Sequence, residues 1–296
     1  MGLLSIKTKT KLARKFMKLT DPEFMKAIDD PSVTGELVTW QTTKGPVQQL
    51  LYGFDTSEVR PLIIDIHGSG FTLGSAAMDD AFMQQFVDEC HCKVASIDYA
   101  LAPEEMFPTA LEQCYATVLY AQQHAAELGI DPERIALMGH SAGGNFCIGV
   151  GILNARRKEL SIRGFVLDYP PCDVDTDAFD KPLPKGCIPP QMARIFDAAY
   201  RKPEDSKNPL ISPVFAEASE LAGFPRTLVI TCEKDSLAGE AQTFAAHLKD
   251  AGADVQTRHF EGVPHAFTHK LADPALHDSA QEAWGLMKGF MNEVLA

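Results

Sequence analysis

Short apolar runs alternate with longer amphipathic stretches along most of this chain. The runs are rich in Ile, Val and Leu, and each has the length of a strand: "PLIIDIHG", "KVASIDY", "RIALMGH", "GFVLDYP", "TLVITCEKD" and "VQTRHFEG". Runs of this kind predict strands that are buried on both faces. Helical patterns lie between most of them, such as Thr109 to Leu128, where Gly129 predicts the helix end. This alternation predicts an α/β fold with a mostly parallel central sheet and helices on both faces.

Two segments do not follow the alternation and predict a small helical cap. The first covers residues 1–35, where Leu12, Phe16 and Leu19 form an apolar stripe beside basic residues. A helix lying on a membrane surface is one interpretation of such a stripe. Packing of the stripe against its own protein is the more common outcome, and we expect it here.

The second segment, residues 172–213, is crowded with proline and contains one helical run from Gln191 to Arg201. The remaining chain, residues 36–171 and 214–296, is then the two-part core. It begins with "VTWQTT" and "VQQLLYGF", which flank Lys44-Gly45-Pro46 and predict an antiparallel hairpin.

Composition and charge exclude several classes of protein. A formal net charge of −13 argues against nucleic acid or an anionic membrane as the main partner. Seven cysteines, an odd number in a 296-residue chain, fit a reducing compartment better than a disulfide scaffold. The start "MGLLSIKTKTK" lacks a signal-peptide apolar stretch, and no apolar run reaches the roughly 18 residues of a membrane span. We expect a cytoplasmic protein without stable membrane insertion, and a homodimer stays open.

One serine stands at a position that favours a catalytic role. Gly139-His140-Ser141-Ala142-Gly143 lies where the run "IALMG" must turn into the helical pattern "AGGNFCIGVGIL". Gly and Ser are also ordinary turn residues, so the five residues alone do not decide between a turn and a nucleophile. A sharp strand-to-helix turn, however, holds its central residue in an uncommon conformation and leaves room only for glycine nearby. This context predicts Ser141 as a nucleophile.

A nucleophilic serine needs a base, and the base needs a carboxylate that orients it. Asp235 and His265 end two later predicted strands, and the order Ser, acid, His is that of α/β-hydrolases. Other residues could take these two roles: His140, His269 and His277 as bases, and Glu233 and Glu240 as acids. We expect Asp235 and His265 because both directly follow a strand.

The third requirement is a set of N–H groups that stabilise a developing oxyanion. His67-Gly68-Ser69-Gly70 directly follows a predicted strand, and its backbone can approach a substrate because most side chains there are absent. By itself this stretch is also consistent with a simple glycine turn.

Together these motifs resemble the hormone-sensitive-lipase-like family of α/β-hydrolase carboxylesterases. His-Gly-Ser-Gly-Phe stands where the family usually has His-Gly-Gly-Gly-Phe, and "DYALAPEEMFP" is similar to its Tyr-Arg-Leu-Ala-Pro-Glu block. "GIDPERIALMGHSAGG", "ISPVF", "CEKDSL" and "HAF" match further family motifs, in the right order, from about residue 60 to 268. Three positions depart from the family pattern: Ser69 replaces a glycine, Ala100 an arginine and His140 an aspartate. Ser69 costs about 1 kcal/mol if its φ is positive.

The resemblance implies an α/β-hydrolase fold with a helical cap and a serine esterase. We expect short-chain acyl esters as substrates, because the cap should close the acyl pocket with Phe16, Met17, Ile195 and Phe196. Its expected residues are a triad, an oxyanion hole and substrate contacts: Ser141, Asp235 and His265; Gly68, Ser69 and Ala142; Phe71, Ile195 and Phe196. The expected partner is a small-molecule ester, with no cofactor and no metal.

Two alternatives to this function stay open. An amidase, or a deacetylase of acetylated sugars, uses the same triad. The family also includes plant hormone receptors that lost the catalytic histidine and only bind small molecules, but His265 is present here. Cys90-His91-Cys92 lacks further ligands at zinc spacing, so we interpret it as a helix end.

Overall fold

A computed structural model describes residues 4–20 and 32–296 of the chain. Within these ranges one sheet contains the strands β1 (Glu36–Thr42), β2 (Gly45–Tyr52), β3 (Arg60–Ile66), β4 (Lys93–Asp98), β5 (Ile130–His140), β6 (Gly164–Asp168), β7 (Arg226–Lys234) and β8 (Val255–Pro264). Their order is β1-β2-β4-β3-β5-β6-β7-β8. Strands β3 to β8 are parallel, whereas β2 is antiparallel to β1 and β4. The predicted fold class, including the hairpin, is confirmed.

Helices follow most of the strands: α1 (Ile6–Thr20), α2 (Asp80–Cys90), α3 (Thr109–Gln123), α4 (Ala125–Leu128), α5 (Ala142–Arg157), α6 (Pro190–Tyr200), α7 (Ala218–Leu221), α8 (Ala238–Asp250) and α9 (His277–Leu295). The helix predicted from Thr109 to Leu128 is divided in two at His124. Gly129 ends it at φ +60°, as predicted. None of the described helices is both long enough and apolar enough to cross a bilayer.

Strand β3 shows why the apolar runs are continuous. Leu62, Ile64 and Ile66 face one apolar cluster, which includes residues of α3, α5 and α8. Ile63 faces a second cluster on the other side of the sheet, with residues of α2 and α9. Side chains alternate between the two faces of a strand, so helices on both faces require apolar residues at consecutive positions.

Helix α1 packs against α6. Its inward positions are Thr10 and Ala13, which are buried, and Met17, which packs against Leu73 and Phe196. Arg14 also reaches inward, where its guanidinium donates hydrogen bonds to the carbonyl oxygens of Thr72 and Ala102, at 2.7 and 2.8 Å. The helix is therefore fixed to the body of the protein by polar and small residues together with Met17.

The expectation that the stripe of α1 packs against its own protein is wrong for Leu12 and Leu19. Leu12, Phe16 and Leu19 are 52%, 57% and 75% exposed. They lie on the outer face because the positions that contact the protein, Thr10 and Met17, are nearly half a turn away around the helix.

The second segment predicted for the cap leaves the sheet after β6 and carries α6. Asn145 of α5 joins both ends of this excursion, because its side-chain amide donates to the carbonyl oxygens of Pro171 and Ile211, both at 2.8 Å. The residue ranges assigned to cap and core stay predictions, and residues 1–3 and 21–31 of the first segment lie outside the described residues.

Candidate active site

Ser141 occupies the turn between β5, which ends at His140, and α5, which begins at Ala142. Its φ is +52° and its ψ −115°, a sparsely populated backbone conformation that costs on the order of 1–3 kcal/mol. The Ser141 N–H donates to the carbonyl oxygen of Asp168 at 2.8 Å, and the Ser141 carbonyl accepts the N–H of Asn145 at 3.1 Å. Backbone hydrogen bonds on both sides therefore hold the serine in this conformation, as the sequence predicts.

The two glycines around Ser141 are required by close backbone contacts. A Cβ atom on Gly143 would lie 1.8 Å from the carbonyl oxygen of Ile66, because α5 starts directly against β3. A Cβ atom on Gly139 would lie 2.4 Å from the backbone of Gly143. Neither position can hold a side chain without displacing backbone.

Ser141, His265 and Asp235 are linked in series by hydrogen-bond distances. The distance from Ser141 Oγ to His265 Nε2 is 2.9 Å, and His265 Nδ1 lies 2.7 Å from Asp235 Oδ2. The other oxygen of Asp235 accepts the N–H of Leu237 at 3.1 Å, which fixes the carboxylate. The residues meet because β5, β7 and β8 are parallel, so their carboxyl ends lie on the same edge of the sheet.

The alternative acids have other partners. Glu240 pairs with Lys181 at 2.6 Å and accepts the N–H groups of Cys172 and Asp173, so it anchors the segment after β6. Burial raises the pKa of Glu240 to about 7, although Lys181 opposes the shift. Glu233 accepts the N–H of Gly262 at 2.6 Å.

Among the alternative bases, Nδ1 of His277 lies 2.8 Å from the carbonyl oxygen of Leu271. His140 and His269 lie together in a buried cluster on the far side of Ser141 and are described below.

The loop after β3 presents backbone N–H groups beside Ser141. Gly68 is so close that a Cβ atom would lie 3.4 Å from the Cβ of Ser141. Ser69, which stands where the family usually has a glycine, has φ +87°. A positive φ is strained for a residue with a side chain, as anticipated for this position. Within the described residues, no hydrogen bond uses the N–H of Gly68, Ser69 or Ala142.

Tyr99, the first residue of the block similar to the family's Tyr-Arg-Leu-Ala-Pro-Glu, orients this loop. Its hydroxyl lies 3.0 Å from the carbonyl oxygen of His67 and 3.1 Å from that of Gly68. In a trans peptide the N–H points opposite to the carbonyl. Holding these two carbonyls therefore turns the N–H groups of Gly68 and Ser69 away from Tyr99. The ring of His67 stacks on Tyr99 at 4.1 Å and supports the arrangement.

The residues predicted to contact substrate lie in different surroundings. Phe196 packs on the loop so closely that a Cβ atom on Gly70 would lie 2.4 Å from its ring. Ile195 is half-buried on the same helix. Phe71 is 3% exposed and stacks on Tyr200 at 3.9 Å, so its ring belongs to the core. Their roles toward a substrate stay predictions.

A buried ionic cluster lies behind Ser141, and sequence reasoning missed it. His140 Nδ1 lies 2.8 Å from Asp168 Oδ2, and His269 Nε2 lies 2.5 Å from Asp79 Oδ1. Nε2 of His140 is 4.0 Å from Asp79 Oδ1, which brings the two pairs together. One ring nitrogen each of His140 and His269 and one carboxylate oxygen of Asp79 all lie within 4.8 Å of one another. The four residues of the two pairs come from distant parts of the chain, so no local sequence motif predicts the cluster.

The cluster shifts the pKa values of its members in opposite directions. Burial by itself lowers the pKa of His140, but Asp79, Asp168 and Asp65 outweigh it and raise the value to about 9. Burial raises the pKa of Asp79, but His140 and His269 outweigh it and lower the value to about 2. His140 therefore carries a positive charge at neutral pH, and Asp79 carries the compensating negative charge.

Comparison with known proteins gives consistent matches. A family model described as alpha/beta hydrolase fold matches residues 63–269. An arylesterase from Saccharolobus solfataricus is 32% identical over 209 residues, which cover 70% of this chain and 68% of the arylesterase. The hormone-sensitive lipase of Ictidomys tridecemlineatus is 38% identical over 115 residues, 39% of this chain but only 15% of the lipase.

The solved structure of an esterase from the archaeon Pyrobaculum calidifontis superposes with a TM-score of 0.82 at 28% sequence identity, covering 97% of this chain and 94% of that one. The fold and the serine turn define an α/β-hydrolase. The chain belongs to the α/β-hydrolase family, within its group of carboxylic-ester hydrolases, as the resemblance of the motifs implied.

The buried cluster predicts a stability that depends on pH. The pKa of His140 is raised from 6.5 to about 9, so its contribution is complete below pH 6.5 and is lost as the pH rises through 9. We expect the free energy of unfolding to fall by on the order of 2–3 kcal/mol over this window. Chemical denaturation at pH 6 to 9.5 measures this fall. His140→Gln should remove it, and His247→Gln, on the surface helix α8, should keep it. An equal fall in His140→Gln would contradict the assignment.

Proposed function

We propose that this protein hydrolyses short-chain carboxylic esters through an acyl-enzyme on Ser141, with His265 as the base and Asp235 as its orienting acid. The observation that carries the proposal is the series of two hydrogen-bond distances, 2.9 Å from serine to histidine and 2.7 Å from histidine to aspartate. This is the relation that a serine nucleophile needs.

In the first half of the reaction, Ser141 Oγ attacks the ester carbonyl carbon and its proton passes to His265 Nε2. Asp235 accepts the Nδ1–H of His265, which selects the tautomer with a free Nε2 and stabilises the imidazolium that forms. The N–H groups of Gly68, Ser69 and Ala142 stabilise the negative oxygen of the tetrahedral intermediate. The intermediate collapses, and the leaving alcohol takes the proton from His265.

In the second half, water attacks the acyl-serine and gives a proton to His265. The second tetrahedral intermediate uses the same N–H groups. Its collapse breaks the bond to Ser141 Oγ, which recovers the proton from His265. The net reaction adds one water to the ester and releases an alcohol and a carboxylic acid.

We also propose that α1 and residues 172–213 form a cap that limits the length of the acyl chain. Met17 of α1 and Phe196 of α6 meet in one small apolar cluster with Leu73, Ile188 and Met192. Phe196 lies against Gly70 of the loop that carries the oxyanion N–H groups. A chain that grows toward this cluster first gains apolar contacts and then meets a wall.

Ser141→Ala is expected to abolish hydrolysis of 4-nitrophenyl acetate and to leave the fold intact. The hydroxyl makes its one side-chain hydrogen bond with His265, so its loss removes the nucleophile and little packing. Initial rates and a thermal melt measure both effects, and an organophosphate should label the wild type but not this variant. A variant with even a tenth of the wild-type activity would refute the nucleophile.

Asp235→Asn is expected to lower kcat by about 10³ to 10⁴, because an amide no longer selects the right tautomer of His265. Glu240→Gln is the matched control. It replaces another buried acid, one that pairs with Lys181, and should change kcat by less than about threefold. If Glu240→Gln proves the more damaging of the two, the acid must be reassigned.

The acyl-chain profile of 4-nitrophenyl esters from acetate to palmitate tests the proposed cap. Each methylene that fits should add ~0.8 kcal/mol, so kcat/KM should rise over a few carbons, peak between about two and six, and then fall steeply. Phe196→Ala should move the peak to longer chains, whereas Phe215→Ala, at an exposed position, should not. A wild-type maximum at ten or more carbons would refute the closed pocket. Preference for anilides or acetylated sugars, tested alongside, would favour an amidase or deacetylase.

A further inference from the structure

Helix α1 has a charge opposite to that of the protein as a whole. The chain has a formal net charge of −13. The 15 residues of α1 contain no acid, and their basic residues are Lys7, Lys9, Lys11, Arg14, Lys15 and Lys18. Arg14 is bound inward to Glu104 at 2.9 Å. Within the described part of the chain, Lys7, Lys9, Lys11 and Lys15 form no ion pair.

The outer face of this basic helix is apolar. Leu12 and Leu19 are 52% and 75% exposed, and Phe16 between them is 57% exposed. Their spacing, i, i+4 and i+7, places them in one row along the helix. At 100° per residue, Lys15 and Lys11 lie on one side of this row and Lys9 lies on the other. A row of protruding apolar side chains between lysines is the pattern of helices that lie in a membrane interface.

We propose that α1 binds the surface of an anionic lipid bilayer, with Leu12 and Leu19 inserted among the headgroups and the lysines on lipid phosphates. The proposal concerns binding at the surface and not insertion across the bilayer. It does not rest on the esterase activity.

Charge argues against a second copy as the occupant. In a symmetric dimer the same face meets itself, which would bring the unpaired lysines of two helices together. An anionic bilayer neutralises them instead, because its negative surface potential attracts lysines near the headgroups. A protruding row of side chains can enter a bilayer without a matching pocket. An acidic protein would need a pocket that fits the row.

The position of α1 gives this binding a consequence for the site. Arg14 holds the carbonyl oxygens of Thr72 and Ala102, and Met17 packs on Phe196. The inner face of the helix therefore contacts the loop that follows the oxyanion N–H groups, while its outer face contacts lipid. Binding would place the proposed cap at the membrane.

Flotation with vesicles tests the proposal. Full-length protein is mixed with vesicles of phosphatidylcholine alone, or of phosphatidylcholine with 30% phosphatidylglycerol. We expect wild-type protein to float with the anionic vesicles only, and less so in 0.5 M salt. Leu12→Ser/Leu19→Ser and Lys11→Glu/Lys15→Glu should each weaken partitioning at least tenfold. Esterase rates on a water-soluble ester should stay unchanged in both, which shows that they are folded.

Matched controls make the same types of substitution at exposed positions outside α1. Leu37→Ser/Val59→Ser removes two apolar side chains that are each 60% exposed on the core. Lys202→Glu/Lys249→Glu reverses two exposed lysines outside α1. Both should bind anionic vesicles like the wild type. A Leu12→Trp variant reports depth, because its fluorescence should shift to the blue with anionic vesicles and be quenched by brominated lipids.

Several outcomes would overturn the proposal. Absence of wild-type flotation with anionic vesicles does so directly. Flotation that depends on the lysines but not on the leucines would show general charge attraction without insertion. Binding of poly-glutamate through α1 in the absence of vesicle binding would favour an acidic protein. A dimer that Leu12→Ser/Leu19→Ser dissociates, again without vesicle binding, would favour a second copy.

Discussion

The close contact between the start of α5 and the end of β3 constrains the rest of the site. Gly143 lies where a Cβ atom would be 1.8 Å from the Ile66 carbonyl oxygen, so helix and strand touch backbone to backbone. This contact forces the chain to reverse within one residue, and Ser141 takes φ +52° as a result. The same contact places the loop after β3 beside the serine. Ser141 and the N–H groups proposed to bind the oxyanion are thus positioned by one packing interaction.

The site residues that directly follow a strand of the parallel sheet could be predicted from the sequence. Asp235 and His265 each directly follow a strand, and parallel strands of one sheet bring such positions together wherever they lie in the chain. The buried ionic cluster, on which the expected pH dependence of unfolding rests, could not be predicted in this way. Asp79 precedes a helix, His140 ends a strand and His269 lies beyond another, so only the assembled fold brings them within 4.8 Å. Tyr99 likewise acts through a hydroxyl whose partners are two backbone carbonyls.

The error on α1 has a physical origin. An apolar stripe at helical spacing predicts a buried face because water disfavours exposed apolar area. In this helix the contact with the protein is made instead by Thr10, Ala13, Met17 and the guanidinium of Arg14. Small and polar residues can hold a helix against the protein when backbone carbonyls, such as those of Thr72 and Ala102, accept hydrogen bonds from it. Hydrophobic periodicity cannot detect such partners.

The two faces of α1 follow different physical rules. Its inner face is specific, because Arg14 needs acceptors at defined positions and Met17 needs a gap of the right shape. Its outer face has no such requirement, because Leu12, Leu19 and the lysines beside them protrude from the protein. Contacts on the inner face can hold the helix on the protein while the outer face makes the proposed contact with lipid. The proposed binding to a bilayer therefore uses residues of this 15-residue helix that the proposed esterase site does not use.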